Sequence, residues 1–523
     1  MPDPRRVVLG VSIAAGAAYL QPATLNYLVT PMLASFQAGD SAAATVRETP
    51  SVASLLVIFL AAVLAQRYGR RRVLTLGALT LALGSLLVAA APVLAVAVAG
   101  LAVQAVGATV LLVVPLGIIG ATVPGRSERA RAFAIFSMVS PVVFVVLPVV
   151  TSLLMENRSW RVVAFTWAIG GLLAVLAARW ALGPDGTGRT KAELLTPALA
   201  GVVCMGVAQV AAHANLSVAT AVRLTITLVA AGWLFQAMRR GKPRSLDVTI
   251  LRQPGFALML IVVALWCFTQ LWYYMTLAYE YVFGLSVLVA ALLMVPAQLA
   301  AVVGARYAGW MVGRRGMVRT GVWFLMVTGL SLALSVLVGV DSPLWWPVLV
   351  TCLYSFASVG AGVPMTNALM DDAVADNETD ASAYRQAAIG VGTAIGIAMI
   401  SAVVFSAFSA SLTHQLADAG LDSAPATQIA ADLRSGASVQ QESSQYAVPV
   451  TEVTNIDEAQ KRALLDGMDA HGVVGALLSV ITAGLFWWSR RASRTPAASG
   501  HPSGCVNGQV AVPAGGQLEV PTL

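Results

Sequence analysis

Charge is what this chain has least of. Only 11% of its 523 residues are Asp, Glu, Lys or Arg, against 58% hydrophobic residues and a mean hydropathy of +0.78. Soluble domains carry about a quarter charged residues, so a string of water-soluble domains is excluded. Cysteine is scarce too. Cys204, Cys267, Cys352 and Cys505 are scattered, the first three inside apolar runs, which argues against a disulfide framework or a thiolate metal site. The four histidines do not cluster, and His501 near Cys505 has no further ligands around it. No Gly-Lys phosphate loop occurs, so ATP drive from this chain is not expected. His414 and His471 belong to no Ser/His/Asp arrangement and read as incidental. The expectation is therefore no enzyme, no cofactor and no metal. The net charge of +7 does not imply nucleic-acid binding, because the basic residues punctuate apolar runs instead of forming one face.

What is present is uncharged apolar sequence in bilayer-crossing lengths. No Asp, Glu, Lys or Arg occurs from Val73 to Gly125, nor in Gln253–Tyr279, Ser342–Met370 or Gln386–Ala417. A hydrocarbon core of roughly 30 Å needs about 20 such residues per helix, and its backbone must be satisfied internally. Fourteen spans are expected, at 7–36, 50–66, 73–91, 93–123, 131–154, 162–181, 195–213, 217–238, 255–279, 286–308, 317–340, 344–369, 384–409 and 471–489. The first follows Arg5 and Arg6 and is too long for a signal-peptide core, so it reads as a retained anchor.

Arginine clusters fall at every second junction: 67–72, 126–131, 239–244, 314–319 and 490–494. By the positive-inside rule both termini are then cytoplasmic. The dominance of Arg over Lys, with abundant Ala, matches the composition of high-GC bacteria, and by that association a bacterial plasma membrane is expected. Ser411–Ala470 is polar and acidic and is expected as an outer loop, whereas the Pro/Gly/Ser-rich tail after Arg494 is expected to be disordered. The acidic stretch Asp371, Asp372, Asp376, Glu378 and Asp380 reads as a solvated cytoplasmic loop.

Two of the arginine loops resemble each other. Gln66-Arg67-Tyr68-Gly69-Arg70 after the second span aligns at constant offset with Gly313-Arg314-Arg315-Gly316-Met317 after the tenth, and Ala62 aligns with Gly309. Repeats of this kind build secondary transporters, with the substrate site between the halves near the midplane. The offset implies two six-helix units with two additional helices between them.

The loop 66–72 resembles the signature G-x-L-x-D-R-x-G-R-R of the major facilitator superfamily, and the order of further stretches resembles its fourteen-helix drug:proton antiporter branch. Those stretches are Leu20–Asn26, Ser159-Trp160-Arg161, Phe283–Ser286 and Ala381–Gln386. The resemblance covers roughly residues 7–490. It implies an all-α polytopic fold with an N-terminal six-helix bundle (1–182), a linker with two extra transmembrane helices (183–244), a C-terminal six-helix bundle (245–490, with outer loop 411–470) and a tail (491–523). It also implies a monomeric exporter of small organic molecules, drugs or metabolites by alternating access, with protons as the coupling ion.

The departures bear on mechanism. The family's acid in the first span falls at Gln21, and the signature Asp at Gln66. In the fourth span Gln104 stands, but the family's Arg falls at Leu101 and its Gly at Ala105. In the fifth, Pro148 remains while Leu147, Thr151 and Ser152 take glycine positions. Gln21 can hydrogen-bond a neutral ligand but cannot carry a proton. An uncoupled facilitator and a transport-silent receptor on the same scaffold are the rival readings.

Intramembrane polar groups are the candidate site residues. Glu280 and Glu48 are the proton-coupling candidates, each against the alternative of a hydrated interfacial acid. Trp266, Gln270 and Tyr273, one turn apart on a single helix face, are candidates to line a cavity for an amphipathic molecule. Gln21 is a further cavity candidate. Asn26, Gln104, Gln298 and Asn367 are candidates too, weighed against interhelical hydrogen bonds. The conformational-switch candidates are Gln66, Arg67, Gly69, Arg70, Gly309, Arg314, Gly316 and Arg385.

Overall fold

The computed structural model describes residues 3–39, 41–123, 125–155, 159–184, 193–213, 217–239, 246, 249–373, 378–418 and 450–492. Among these residues the regular structure is helical throughout, as lipid requires of a backbone that cannot bond to water. The first span is two helices, α1 (Pro4–Ala18) and α2 (Leu20–Ser35), joined at Tyr19. Then follow α3 (Ser41–Tyr68), α4 (Arg70–Ala89), α5 (Leu94–Thr122), α6 (Arg126–Met155) and α7 (Arg161–Ala181). The two linker helices are α8 (Leu195–Ala212) and α9 (Val218–Arg239). The second half comprises α10 (Pro254–Trp266), α11 (Leu271–Leu277), α12 (Val287–Leu293), α13 (Val295–Arg315), α14 (Met317–Ser335), α15 (Trp345–Asp372), α16 (Glu378–Asp418) and α17 (Val450–Ala492).

Thirteen helices among the described residues are long and apolar enough to cross a membrane. The remaining expected span, 255–279, is broken: α10 stops at Trp266, and after Cys267–Gln270 the chain resumes as α11 and a π-helical turn at Ala278–Val282. The break has tertiary support. The Tyr354 hydroxyl donates to the Thr269 carbonyl, and Gly392 and Gly396 of α16 abut the backbone of Ala264 and Phe268 so closely that a Cβ would sit 2.7 and 2.8 Å away. The last two helices also run past their expected ends, to Asp418 and from Val450, so part of the expected outer loop 411–470 is helix. Residues 419–449 and 493–523 lie outside the described residues.

The same helix pairings occur twice. In the first half α4 packs on α5 and α7, α3 on α5, and α1 on α7; in the second, α14 packs on α15 and α17, α13 on α15, and α10 on α17. The halves meet through α3 against α16, α6 against α13, α5 against α16 and α6 against α15. Small residues allow the tight contacts: Gly77 and Gly84 of α4 meet the backbones of Gly107 and Gly100 of α5, and Gly304 of α13 meets that of Phe356 of α15. The linker helix α8 lies against both α3 and α16. Large apolar side chains point outward all round the bundle, among them Leu83, Leu176, Leu228, Trp233, Leu337 and Leu477. An apolar belt this extensive suits lipid and not water: this is a multi-pass membrane protein.

Candidate functional site

Where the halves meet, a cavity of about 1000 Å³ is enclosed by α1–α2, α3, α5, α8 and α16. Gln21, from the second helix of the broken first span, is 8% exposed yet borders it. Across the cavity stand Gln386 and Thr393 of α16, with Thr109 of α5 and Gln209 of α8. Between these polar groups the wall is Leu55, Ile58, Leu112, Met205, Ile397 and several alanines. The charged residues bordering the cavity, among those described, are Arg47 and Glu48 in the first turns of α3. Glu48 Oε1 lies 3.1 Å from His213 Nε2. Uncharged hydrogen-bonding groups set in an apolar wall can orient a neutral or amphipathic organic molecule.

The helices that line the cavity run on to a second, charged region. There the Gln66 Nε2 donates to Asp380 Oδ1 at 2.8 Å, and Arg70 pairs with Glu378 at 3.5 Å. Arg126 pairs with Asp371 at 3.0 Å, and Arg129 pairs with the same carboxylate. Arg129 Nε also donates to Asn367 Oδ1 at 3.1 Å, while Asn367 Nδ2 donates to the Arg126 carbonyl at 3.3 Å. Each of these contacts joins the first half to the second. Two more seal the seam: Ser382 donates to the Val113 carbonyl at 2.6 Å, and Gly117 abuts Thr379, where a Cβ would stand 2.8 Å from the Thr379 Cα. Arg490, 5% exposed, instead braces the second half internally through Asp372 at 3.0 and 2.5 Å.

This arrangement overturns the reading of the acidic stretch as a solvated loop. Asp371 and Asp372 finish α15, Glu378 and Asp380 open α16, and Asp380 is 1% exposed; Asp376 lies outside the described residues. The sequence signal was present. Acids stood at a junction otherwise marked by arginine, and Gln66 occupied a position where the resembling family has Asp. With Asp380 facing it, an amide donor satisfies the buried carboxylate where a second carboxylate would repel it.

Of the other candidates, Gly69 and Gly316 both have positive φ, 98° and 80°, a conformation that disfavours any side chain. Each starts the helix after its arginine loop, so the sequence repeat is matched in backbone conformation. Arg67 stacks over Tyr68 and Arg314 over Trp310. Gly309 packs against α6, with the space for a Cβ already taken by the Cβ of Ala134 at 2.7 Å. Arg385 is half-buried on α16.

The aromatic face expected of one continuous helix does not form, because the chain breaks within it. Trp266 donates to Ser358 at 3.2 Å, and Gln270 precedes α11 without a side-chain capping bond; neither is among the described cavity-lining residues. The Tyr273 side chain lies outside the described residues. Asn26 is exposed, Gln298 is buried on α13, and Gln104 is buried next to the cavity wall with both amide atoms unpartnered among the described residues. Glu280 sits half-buried in the π-helical turn and is not among the described cavity-lining residues. His471, read as incidental, is wholly buried and lies tilted against Tyr274, ring centroids 4.6 Å apart. Only its proximity in space to α11 reveals it.

The multidrug resistance protein Stp of Mycobacterium tuberculosis (strain CDC 1551 / Oshkosh) is 25% identical over 416 residues, covering 76% of this chain and 75% of that one. The human organic anion transporter MFSD10 (TETRAN) superposes with a TM-score of 0.64 at 14% identity, covering 93% of this chain and all of that one. The proton:xylose symporter XylE bound to 6-bromo-6-deoxy-D-glucose superposes with a TM-score of 0.52 at 13% identity, covering 91% and 94%. At those identities the structural likeness is one of fold. The profile of the Major Facilitator Superfamily matches residues 11–410. A helical chain built from two matching halves, and matched across most of its length, belongs to the major facilitator superfamily of membrane transporters.

Proposed function

We propose that the protein exports small lipophilic organic molecules across a bacterial plasma membrane, acting as a monomer with both termini cytoplasmic. The bundles 1–182 and 245–490 rock about the central cavity, and the segment 183–244 joins them. One observation carries this reading: a largely apolar cavity with a few amides and hydroxyls is shut off at the arginine-rich end by contacts that all cross between the halves. That end is cytoplasmic on the positive-inside rule, so the structure corresponds to the outward-facing member of an alternating-access pair. Opening inward requires Gln66–Asp380, Arg70–Glu378 and the Arg126/Arg129–Asp371 contacts to separate together. The distant relative's designation as a multidrug resistance protein supports efflux of such compounds.

In this mechanism Gln21, Gln386 and Thr393 hydrogen-bond the substrate, and the apolar wall accepts its rings and chains. Glu48 on the cavity wall and Glu280 in the π-helical turn are the carboxylates put forward to exchange a proton during the cycle. A second reading, an uncoupled facilitator, is favoured by one feature: Glu48 is the single carboxylate bordering the cavity among the described residues.

Proteoliposomes separate the two. Flux of a neutral lipophilic dye driven by an imposed pH gradient, and lost in Glu48→Gln or Glu280→Gln, is expected of antiport. Flux indifferent to pH establishes the facilitator. No flux of any compound in a broad panel, from protein that retains its fold, contradicts export and leaves a transport-silent receptor.

A further inference from the structure

A second cavity, of about 1020 Å³, opens at the arginine-rich end between α6, the α13–α14 turn, α15 and α17. Five arginines border it against one carboxylate, Asp371. That carboxylate is already engaged by Arg126 and Arg129, and Arg490 by Asp372. Arg315 and Arg319 are exposed and have no ion-pair partner among the described residues. The opposite wall is apolar and aromatic: Trp323 and Trp487 are 37% and 43% exposed, Met326 is exposed beside them, and Arg491 stacks 3.7 Å above Trp487. From there the wall continues into outward-facing apolar helix surfaces, Leu330 on α14 and Leu477 and Ile481 on α17.

Excess guanidinium at the membrane surface, running directly into a lipid-facing aromatic wall, suits a molecule with an anionic head and an acyl tail. We propose that this cavity holds the headgroup of an anionic phospholipid from the adjoining leaflet, the phosphodiester lying between Arg315 and Arg319 and an acyl chain along Trp323 and Trp487. Guanidinium forks match phosphate oxygens in pairs, and basic pockets between membrane helices on the cytoplasmic side recognise such headgroups. A soluble phosphate would meet the same arginines but leave the aromatic wall uncovered. Because Arg126, Asn367 and Asp371 line this cavity as well as the seam between the halves, the lipid sits where it can bias closure. Assignment to the cytoplasmic leaflet rests on the orientation proposed above.

The test is quenching of tryptophan fluorescence in the purified full-length protein by brominated phosphatidylglycerol and brominated phosphatidylcholine. Expected is a preference for phosphatidylglycerol of at least about tenfold, abolished in Arg315→Gln/Arg319→Gln and retained in the control Arg5→Gln/Arg6→Gln. Trp487→Phe should remove part of the quench without changing lipid preference. Equal quenching by the two lipids, or a preference that survives Arg315→Gln/Arg319→Gln, overturns the proposal. Full displacement of the lipid by millimolar inorganic phosphate also overturns it, in favour of a soluble anion. Binding is read without transport, so lipid selectivity in a protein that exports nothing contradicts the efflux reading alone.

Discussion

The arginine-rich end and the central cavity treat polar groups in opposite ways. At the arginine-rich end buried charges are partnered, several of them across the halves (Asp371 with Arg129, Asp380 with Gln66, Glu378 with Arg70) and Arg490 with Asp372 within the second half. In the cavity the polar atoms belong mostly to amides and hydroxyls such as Gln21, Gln386 and Thr393, and the charges are Arg47 and Glu48 in the first turns of α3. Pairs that bridge a seam cost heavily when one member is removed, because the other is stranded in a poor solvent. Neutral groups facing a cavity can be exchanged at small cost. The first region therefore sets which state is populated, and the second what is bound.

The largest effect is expected from Asp371→Ala, which strands the nearly buried Arg129. The closed arrangement should lose roughly 3–5 kcal/mol, read as a shift of cavity cysteine labelling from the outer to the inner side. Next is Gln66→Asp, which sets a second carboxylate against Asp380 and should cost roughly 1–3 kcal/mol. Thermal unfolding measures it, and Asp380→Asn in the same chain should restore most of the loss, as a double-mutant cycle requires of contacting residues. Gly69→Ala and Gly316→Ala should each cost roughly 1–2 kcal/mol. Similar losses would sharpen the equivalence of the halves, and a loss at only one would break it. Smaller again is Gln21→Asp, expected to shift preference toward cationic compounds by roughly tenfold, or about 1.4 kcal/mol, with stability little changed. Arg126→Gln is the least consequential for stability: its side chain is 81% exposed, and such pairs contribute about 0–1 kcal/mol.

The spans were legible because lipid demands long uncharged runs, and the repeat because a positive-φ glycine between arginines leaves the same imprint at 69 and at 316. The broken helix was not legible. No proline or charge interrupts 255–279, and the backbone freed at Thr269 is satisfied by Tyr354, distant in sequence. Helical periodicity assumes continuity, so the aromatic face drawn through Trp266, Gln270 and Tyr273 had no physical counterpart to rest on. The acidic stretch was misread for a related reason. Asp380 and Asp371 look solvated until Gln66 and Arg129 are brought from the other half. Gln21 was singled out for a missing charge, and it is found bordering the cavity, a position one sequence could suggest but not establish.

The most direct measurement is labelling of Ser51→Cys, on the cavity wall, with a membrane-impermeant maleimide, in a chain whose native cysteines are replaced. The expected result is modification from outside intact cells, reduced in Asp371→Ala while labelling in inverted vesicles rises. Modification from the cytoplasmic side alone, unchanged by Asp371→Ala, would contradict a cavity that faces outward because the arginine–carboxylate seam is closed.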